Sequence, residues 1–255
     1  MAGMMTGLLL LLLAGVTESR VVDLQKRVFG GETCEDTDRR YHVKLIPRNG
    51  KKDSLCGGSL ISRDWILTAA HCVPDGWTVT AVLNEHPDPT KAVPVKAQPF
   101  PRTDDQKRFH DIMLLKLDVP AINFPTVNLP DCGKRPRLVQ IAGIGDKRVY
   151  KDNIKRNSKL AKTLQCASTT VVSCPSSKVL RNNRVCSRDY EHLICYQSKE
   201  VDATGGDSGE GVVFNGMIYG VHSASSPKAC ASPGKAMDVC EYRDWITEVT
   251  RLTFP

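Results

Sequence analysis

Gly205-Gly206-Asp207-Ser208-Gly209 sets a serine in a glycine-rich turn, directly after an aspartate. By itself such a serine is more often a turn residue than a nucleophile. Upstream, however, stand His110-Asp111-Ile112-Met113-Leu114-Leu115 and Thr68-Ala69-Ala70-His71-Cys72, so a histidine, an aspartate and a serine follow one another along the chain. A serine hydroxyl is a poor nucleophile at neutral pH. Acyl-transfer chemistry needs an imidazole to take its proton and a buried carboxylate to orient that imidazole. His71, Asp111 and Ser208 supply all three, and three independent strings in one order outweigh the reading of each as a merely structural residue.

Chain order separates the convergent versions of this device. The α/β-hydrolases run Ser, Asp/Glu, His, and the subtilisins run Asp, His, Ser. On the three strings quoted, the chain resembles the trypsin/chymotrypsin family of serine endopeptidases over residues 28–255. That resemblance implies an all-β fold of two six-stranded antiparallel β-barrels with a C-terminal α-helix and a site in the cleft between the barrels. It implies His71 as general base and later acid, Asp111 as the group that orients it, and Ser208 as the nucleophile. The backbone N–H groups of Gly206 and Ser208 become the donors to the developing oxyanion. The reaction needs no cofactor and no metal.

The ends of the chain agree. Residues 1–19 hold an apolar run from Leu8 to Val16, too short to span a bilayer, and read as a secretory signal rather than a membrane anchor. A secreted, extracellular protein is expected. Residues 20–27 close with Leu24-Gln25-Lys26-Arg27, and Val28-Phe29-Gly30-Gly31 follow, so 20–27 read as an activation propeptide and 28–255 as the protease domain. The resemblance implies that cleavage after Arg27 frees the Val28 ammonium to insert beside Asp207. Breaking such a buried pair costs about 3–5 kcal/mol, enough for its formation to act as a switch. The plain alternative is an exposed dibasic stretch.

Residues 28–255 suffice for one large all-β domain or two lobes around a common interface. The formal charge of +7 drops by one on removal of residues 1–27, which carry Arg20, Lys26 and Arg27 against Glu18 and Asp23. There is no internal repeat, heptad pattern or long low-complexity tract. Short β-type runs recur at Tyr41–Ile46, Trp65–Ala70, Thr78–Leu83, Ile112–Leu117, Leu138–Ala142, Gly211–Phe214 and Met217–His222, separated by Pro, Gly, Asn and Asp. That spacing favours barrels or sandwiches. Tyr242, Trp245, Ile246, Val249 and Leu252 repeat at three and four, predicting one amphipathic helix with Asp238 nearby as a cap.

Ten cysteines in an exported chain point to disulfides, although composition cannot fix their connectivity. The resemblance implies Cys56–Cys72, Cys34–Cys166 and Cys132–Cys240, and a fourth bridge from Cys195 to Cys174 or Cys186. A cysteine is usual four residues before the nucleophile; here that position is Thr204, which leaves Cys230 without its customary partner. The expected set is Cys174–Cys195 with Cys186–Cys230, and the alternative is Cys174–Cys186 with Cys195–Cys230. Metal binding is the weaker idea, because paired CxxC spacing is lacking.

Asp202, six residues before Ser208, occupies the position where trypsin-like members keep an acid at the base of the primary pocket, and Gly234 stands where a glycine lets a long side chain descend. A carboxylate buried there calls for a cation, so cleavage after Arg or Lys is expected. A surface aspartate in a loop is the bland alternative. The surroundings depart from the pattern: Ser223-Ala224-Ser225 replaces Ser-Trp-Gly, Ala236 replaces a tyrosine, and two extra residues precede Cys230. Glu210 stands where the signature has glycine, which predicts backbone strain and competition for the Val28 ammonium, hence attenuated activity.

The expected partners are a polypeptide substrate and protein protease inhibitors, acting on a monomer without membrane association. From Asp146 to Lys162 seven bases face two acids. The segment reads first as a solvated loop, and second as an exosite for a sulfated glycan or an acidic protein surface. Nucleic acid is not expected, since no binding module accompanies the charge. A non-catalytic or weakly active homologue serving as a binding protein is the rival from another class.

Overall fold

The computed structural model describes residue 28 and residues 30–144, 163–175, 190–226 and 230–255, with the backbone alone for 178–181 and 184–187. The signal, the propeptide with Arg27, and the basic 146–162 segment lie outside the described residues. A short β1 (Glu32–Thr33) precedes the first barrel, which is built from β2 (His42–Arg48), β3 (Cys56–Leu60), β4 (Trp65–Thr68), β5 (Thr78–Leu83), β6 (Val93–Thr103) and β7 (Phe109–Leu117). They close in the order β2-β3-β4-β7-β6-β5. Strand β5 shows how sequence dictates this: in Thr-Val-Thr-Ala-Val-Leu the buried positions alternate, so Val79, Ala81 and Leu83 point inward.

The second barrel comprises β8 (Leu138–Gly143), β9 (Gln165–Val172), β12 (Leu193–Gln197), β13 (Gly211–Phe214), β14 (Met217–Ala224) and β15 (Gly234–Asp238), with β10 (Lys178–Arg181) and β11 (Arg184–Ser187) forming a separate hairpin. Its order is β9-β12-β15-β14-β13-β8, closed by β8 on β9. Both barrels are six-stranded and antiparallel, as the resemblance implies. Strand β1 pairs with β9 and is tied to it by Cys34–Cys166.

One apolar cluster spans both barrels: Leu45, Ile66, Leu114 and Leu115 of the first pack with Ile218, Val221 and Met237 of the second. The predicted helix is α1 (Arg243–Thr250), shorter than the periodicity suggests because Val239–Tyr242 form a 3₁₀ turn. Asp238 accepts from the N–H of Cys240 and so caps that turn rather than the α-helix. Trp245 and Ile246 face the shared cluster.

Among the described residues the disulfides are Cys34–Cys166, Cys56–Cys72, Cys132–Cys240 and Cys174–Cys195. Cys230 carries a free thiol, so the Cys186–Cys230 bridge is not made here; the Cys186 side chain lies outside the described residues. Cys230 holds a left-handed backbone (φ 58°), and its N–H donates to the Asp202 carboxylate at 2.8 Å.

Candidate active site

His71 sits in a single 3₁₀ turn, Ala70–Cys72, that follows β4, and the Cys56–Cys72 disulfide anchors this turn to β3. Strand β7 pairs with β4, which brings Asp111 under the histidine. The carboxylate meets the ring twice, with Oδ2 at 2.8 Å and Oδ1 at 3.0 Å from Nδ1, and Oδ1 also accepts the backbone N–H of His71 at 2.8 Å. Orientation is thereby fixed at both ends of the residue. The Ser223 hydroxyl donates to Oδ2, and the backbone N–H of Asp111 donates to Glu191 Oε1 at 3.2 Å. Burial works against the charge of Asp111, but hydrogen bonding and the charge of His71, with help from Ser223, hold its pKa below the ordinary carboxylate range. Asp111 is 7% exposed at the side chain and His71 45%, so the imidazole opens toward the cleft.

Ser208 lies in the turn before β13. Its carbonyl accepts the N–H of Gly57 at 2.8 Å and lies 3.6 Å from Cys72 Sγ, so the Ser208 backbone is held beside the residue that follows His71. Gly206 (φ 100°) and Gly209 (φ 85°) are left-handed. A Cβ on Gly209 would also collide with Thr68 Oγ1 and the Gly57 carbonyl, so only glycine fits at this crossing of the two barrels. The turn is closed by Asp207 N–H to the Thr204 carbonyl (3.1 Å), Glu210 N–H to the Asp207 carbonyl (3.1 Å) and Gly209 N–H to the His222 carbonyl (2.8 Å). Among the described residues no acceptor takes the N–H of Gly206 or of Ser208.

Asp207 is wholly buried, with Oδ2 accepting the N–H of Thr204 at 2.7 Å. Val28 is buried in the same barrel, among Val139, Ile141 and Val212. Glu210 differs from expectation on two counts. Its backbone is not left-handed, and its carboxylate turns to the first barrel, where Oε1 lies 2.9 Å from His42 Nδ1 rather than competing beside Asp207. That approach is close but off the hydrogen-bonding axis. Arg39 joins it, donating from Nη1 to the Gly211 carbonyl at 2.9 Å.

Of the pocket residues, Asp202 is buried, accepting from Cys230 N–H, and burial raises its pKa. Ser223 and Ser225 are half-buried and Gly234 is buried. Two residues that sequence reasoning passes over belong with them. His222, immediately before Ser223, has its Nδ1 2.6 Å from the Tyr196 hydroxyl and its Nε2 3.0 Å from Ser225 Oγ. Burial, then the neighbouring His71, push the His222 pKa down to about 4, against a smaller opposing effect of Asp111. The signal available in sequence is a histidine in an otherwise apolar strand run. A groove of about 790 Å³ opens beside His71, lined by Pro74, Trp77, Phe109 and Tyr190 among others. Cys56, His71 and Cys72 bring donor atoms within 4.8 Å of one another, but the two sulfurs are bonded together, so they offer no thiolate to a metal.

A family model described as Trypsin matches residues 28–246. The chain is 28% identical to Kallikrein-8 of Homo sapiens over 263 residues, covering 96% of this chain and 94% of that protein. It is 31% identical to Trypsin-4 of Rattus norvegicus over 254 residues (92% and 94%) and 30% identical to Trypsin of Sus scrofa over 241 residues (89% and 96%). With two closed six-stranded barrels, a histidine held twice by one carboxylate and a family match over most of its length, this chain belongs to the trypsin family of serine proteases.

Proposed function

We propose that the protein is a secreted serine endopeptidase, activated by cleavage after Arg27. His71 takes the proton of Ser208 as its oxygen attacks the scissile carbonyl, then returns a proton to the leaving amine; Asp111 orients the ring, and water hydrolyses the acyl-enzyme. Gly206 and Ser208 N–H groups receive the oxyanion, a contribution of about 2.7–4 kcal/mol per donor in comparable sites. The observation that carries this reading is the double engagement of His71 Nδ1 by Asp111, on a turn whose Cys72 abuts the Ser208 carbonyl. The freed Val28 ammonium would pair with Asp207. Its partners are a polypeptide substrate and protein inhibitors, with a monomer as the working unit and the 146–162 loop as a glycan or acidic-surface exosite.

Cleavage after Arg or Lys rests on Asp202 alone, and access to Asp202 is governed by the side chains around it. A fluorophosphonate probe applied to the processed protein is expected to label Ser208, and Ser208→Ala to abolish labelling. Absence of label on a correctly processed, folded protein would overturn the enzyme reading. That outcome would favour the binding-protein alternative, which the Glu210 carboxylate behind the nucleophile and the exposed Ala224 recommend.

A further inference from the structure

The pocket beside Ser208 carries an inference that rests on the endopeptidase reading and narrows its substrate. The family resemblance puts Gly234 on the path by which a long side chain would reach Asp202. Across the β12–β15 ladder Gly234 faces Tyr196, and a Cβ built on Gly234 would lie 2.6 Å from Tyr196 Cε2, 2.7 Å from Cζ and 3.1 Å from the hydroxyl. The space that glycine leaves is already filled by the phenol ring.

Burial says the same. Tyr196 is 1% exposed, Asp202 3%, His222 3% and Ala236 0%. A shaft wide enough for a guanidinium would leave water-sized space against at least one of them. Ala236 opposes His222 on β14 and is small enough to leave room for the two rings. The ring is also pinned: its hydroxyl lies 2.6 Å from His222 Nδ1, and His222 Nε2 lies 3.0 Å from Ser225 Oγ. Thr204, Ser223 and Ser225 remain partly accessible.

We propose that Tyr196 closes the primary pocket above Asp202, so that the protein cleaves after small uncharged side chains and keeps Asp202 as a latent acid that basic side chains do not reach. Tyr196 is the specificity-determining residue, and its shape rather than its hydroxyl does the excluding.

The test uses p-aminobenzamidine, a flat amidinium that mimics an arginine head, titrated into the Arg27-processed protein alongside a peptide library varied at the residue before the scissile bond. Wild type and Tyr196→Phe are expected to bind no amidine and to cleave after Gly, Ala or Ser. Tyr196→Ala is expected to bind amidine at least about tenfold more tightly and to gain cleavage after Arg and Lys, and Tyr196→Ala/Asp202→Asn to lose both gains. Wild-type amidine binding as tight as that of Tyr196→Ala, or dominant wild-type cleavage after Arg or Lys, overturns the inference. Thermal melting checks that Tyr196→Ala folds, and the wild-type measurements decide the matter by themselves if it does not. Amidine binding needs no nucleophile, so a failure of Ser208 labelling would sink the enzyme reading while this readout still stands.

Discussion

Glu210 reaches across the boundary between the barrels to His42, placing Oε1 2.9 Å from Nδ1 in a region where both residues are almost fully buried. The carboxylate fills the space over Gly57, where a Cβ would collide with it, and Arg39 secures the next carbonyl of the same strand. A substitution that looks like damage to the nucleophile's signature is therefore a clasp between β2 and the turn carrying Ser208. Glu210 Oε1 and both ring nitrogens of His42 make no hydrogen bond, so the clasp works by close packing and charge rather than by a hydrogen bond.

Glu210→Ala empties the space over Gly57 and is expected to lower unfolding stability by roughly 0.5–3 kcal/mol. Because the carboxylate faces away from Asp207, turnover should not rise. Denaturant midpoints and kcat/KM measured together check this; a faster enzyme of unchanged stability would show that Glu210 restrains catalysis instead.

Asp111→Asn should cut kcat by about 10⁴-fold, since an amide cannot hold the imidazole in the tautomer that accepts the serine proton. Ser223→Ala should act more weakly and in a diagnostic way. Losing the hydroxyl that donates to Oδ2 raises the Asp111 pKa, which moves the acid-side loss of stability to higher pH. The sign follows from linkage: a carboxylate with a lowered native pKa adds stability above its unfolded pKa and loses it as pH falls through the native one. Denaturation at pH 3, 4 and 5 for both proteins reads the shift.

His222 acts in the same direction at a higher pH. Its native pKa of about 4 lies below the unfolded value of 6.5, so the unfolded chain binds the extra proton between those values and stability falls as pH drops through that window. The loss from pH 7 to pH 4 is roughly 2–4 kcal/mol for this one buried ring. His222→Gln should flatten the pH dependence between 4 and 6.5; an unchanged slope would mean that another group carries it.

The disulfides should differ in worth. Cys56–Cys72 closes 16 residues and Cys34–Cys166 closes 132. Chain entropy assigns about 3 and about 5 kcal/mol respectively, so Cys34→Ala/Cys166→Ala should lower the denaturant midpoint more than Cys56→Ala/Cys72→Ala. The shorter loop should matter more for catalysis, because Cys72 adjoins His71 and contacts the Ser208 carbonyl. Comparing stability with kcat/KM for the two pairs separates the effects.

The sequence by itself determined the family and much of the scaffold, and it named the candidate reacting groups. His71, Asp111 and Ser208 lie in short local strings, and Thr78–Leu83 and Gly211–Phe214 announce themselves as strands with the bounds they have in the fold. Strand β6 does not, because Pro94, Pro99 and Pro101 argue against a strand; it is tolerated as a largely exposed strand with a bulge between Pro101 and Thr103. Strand β3 escapes notice because Cys-Gly-Gly-Ser-Leu lacks β-branched residues, and its glycines are needed where Ile66 and Glu210 press against them. Asp202 is legible as an acid in the right place, but whether anything reaches it is not. That was decided by the closure and register of the second barrel, which set Tyr196 against Gly234 and His222, residues distant along the chain. Candidate reacting groups are written in residue types and short spacings; what surrounds Gly234 comes from strand pairing over long range, and only the folded barrel reveals which side chain fills the space a glycine leaves.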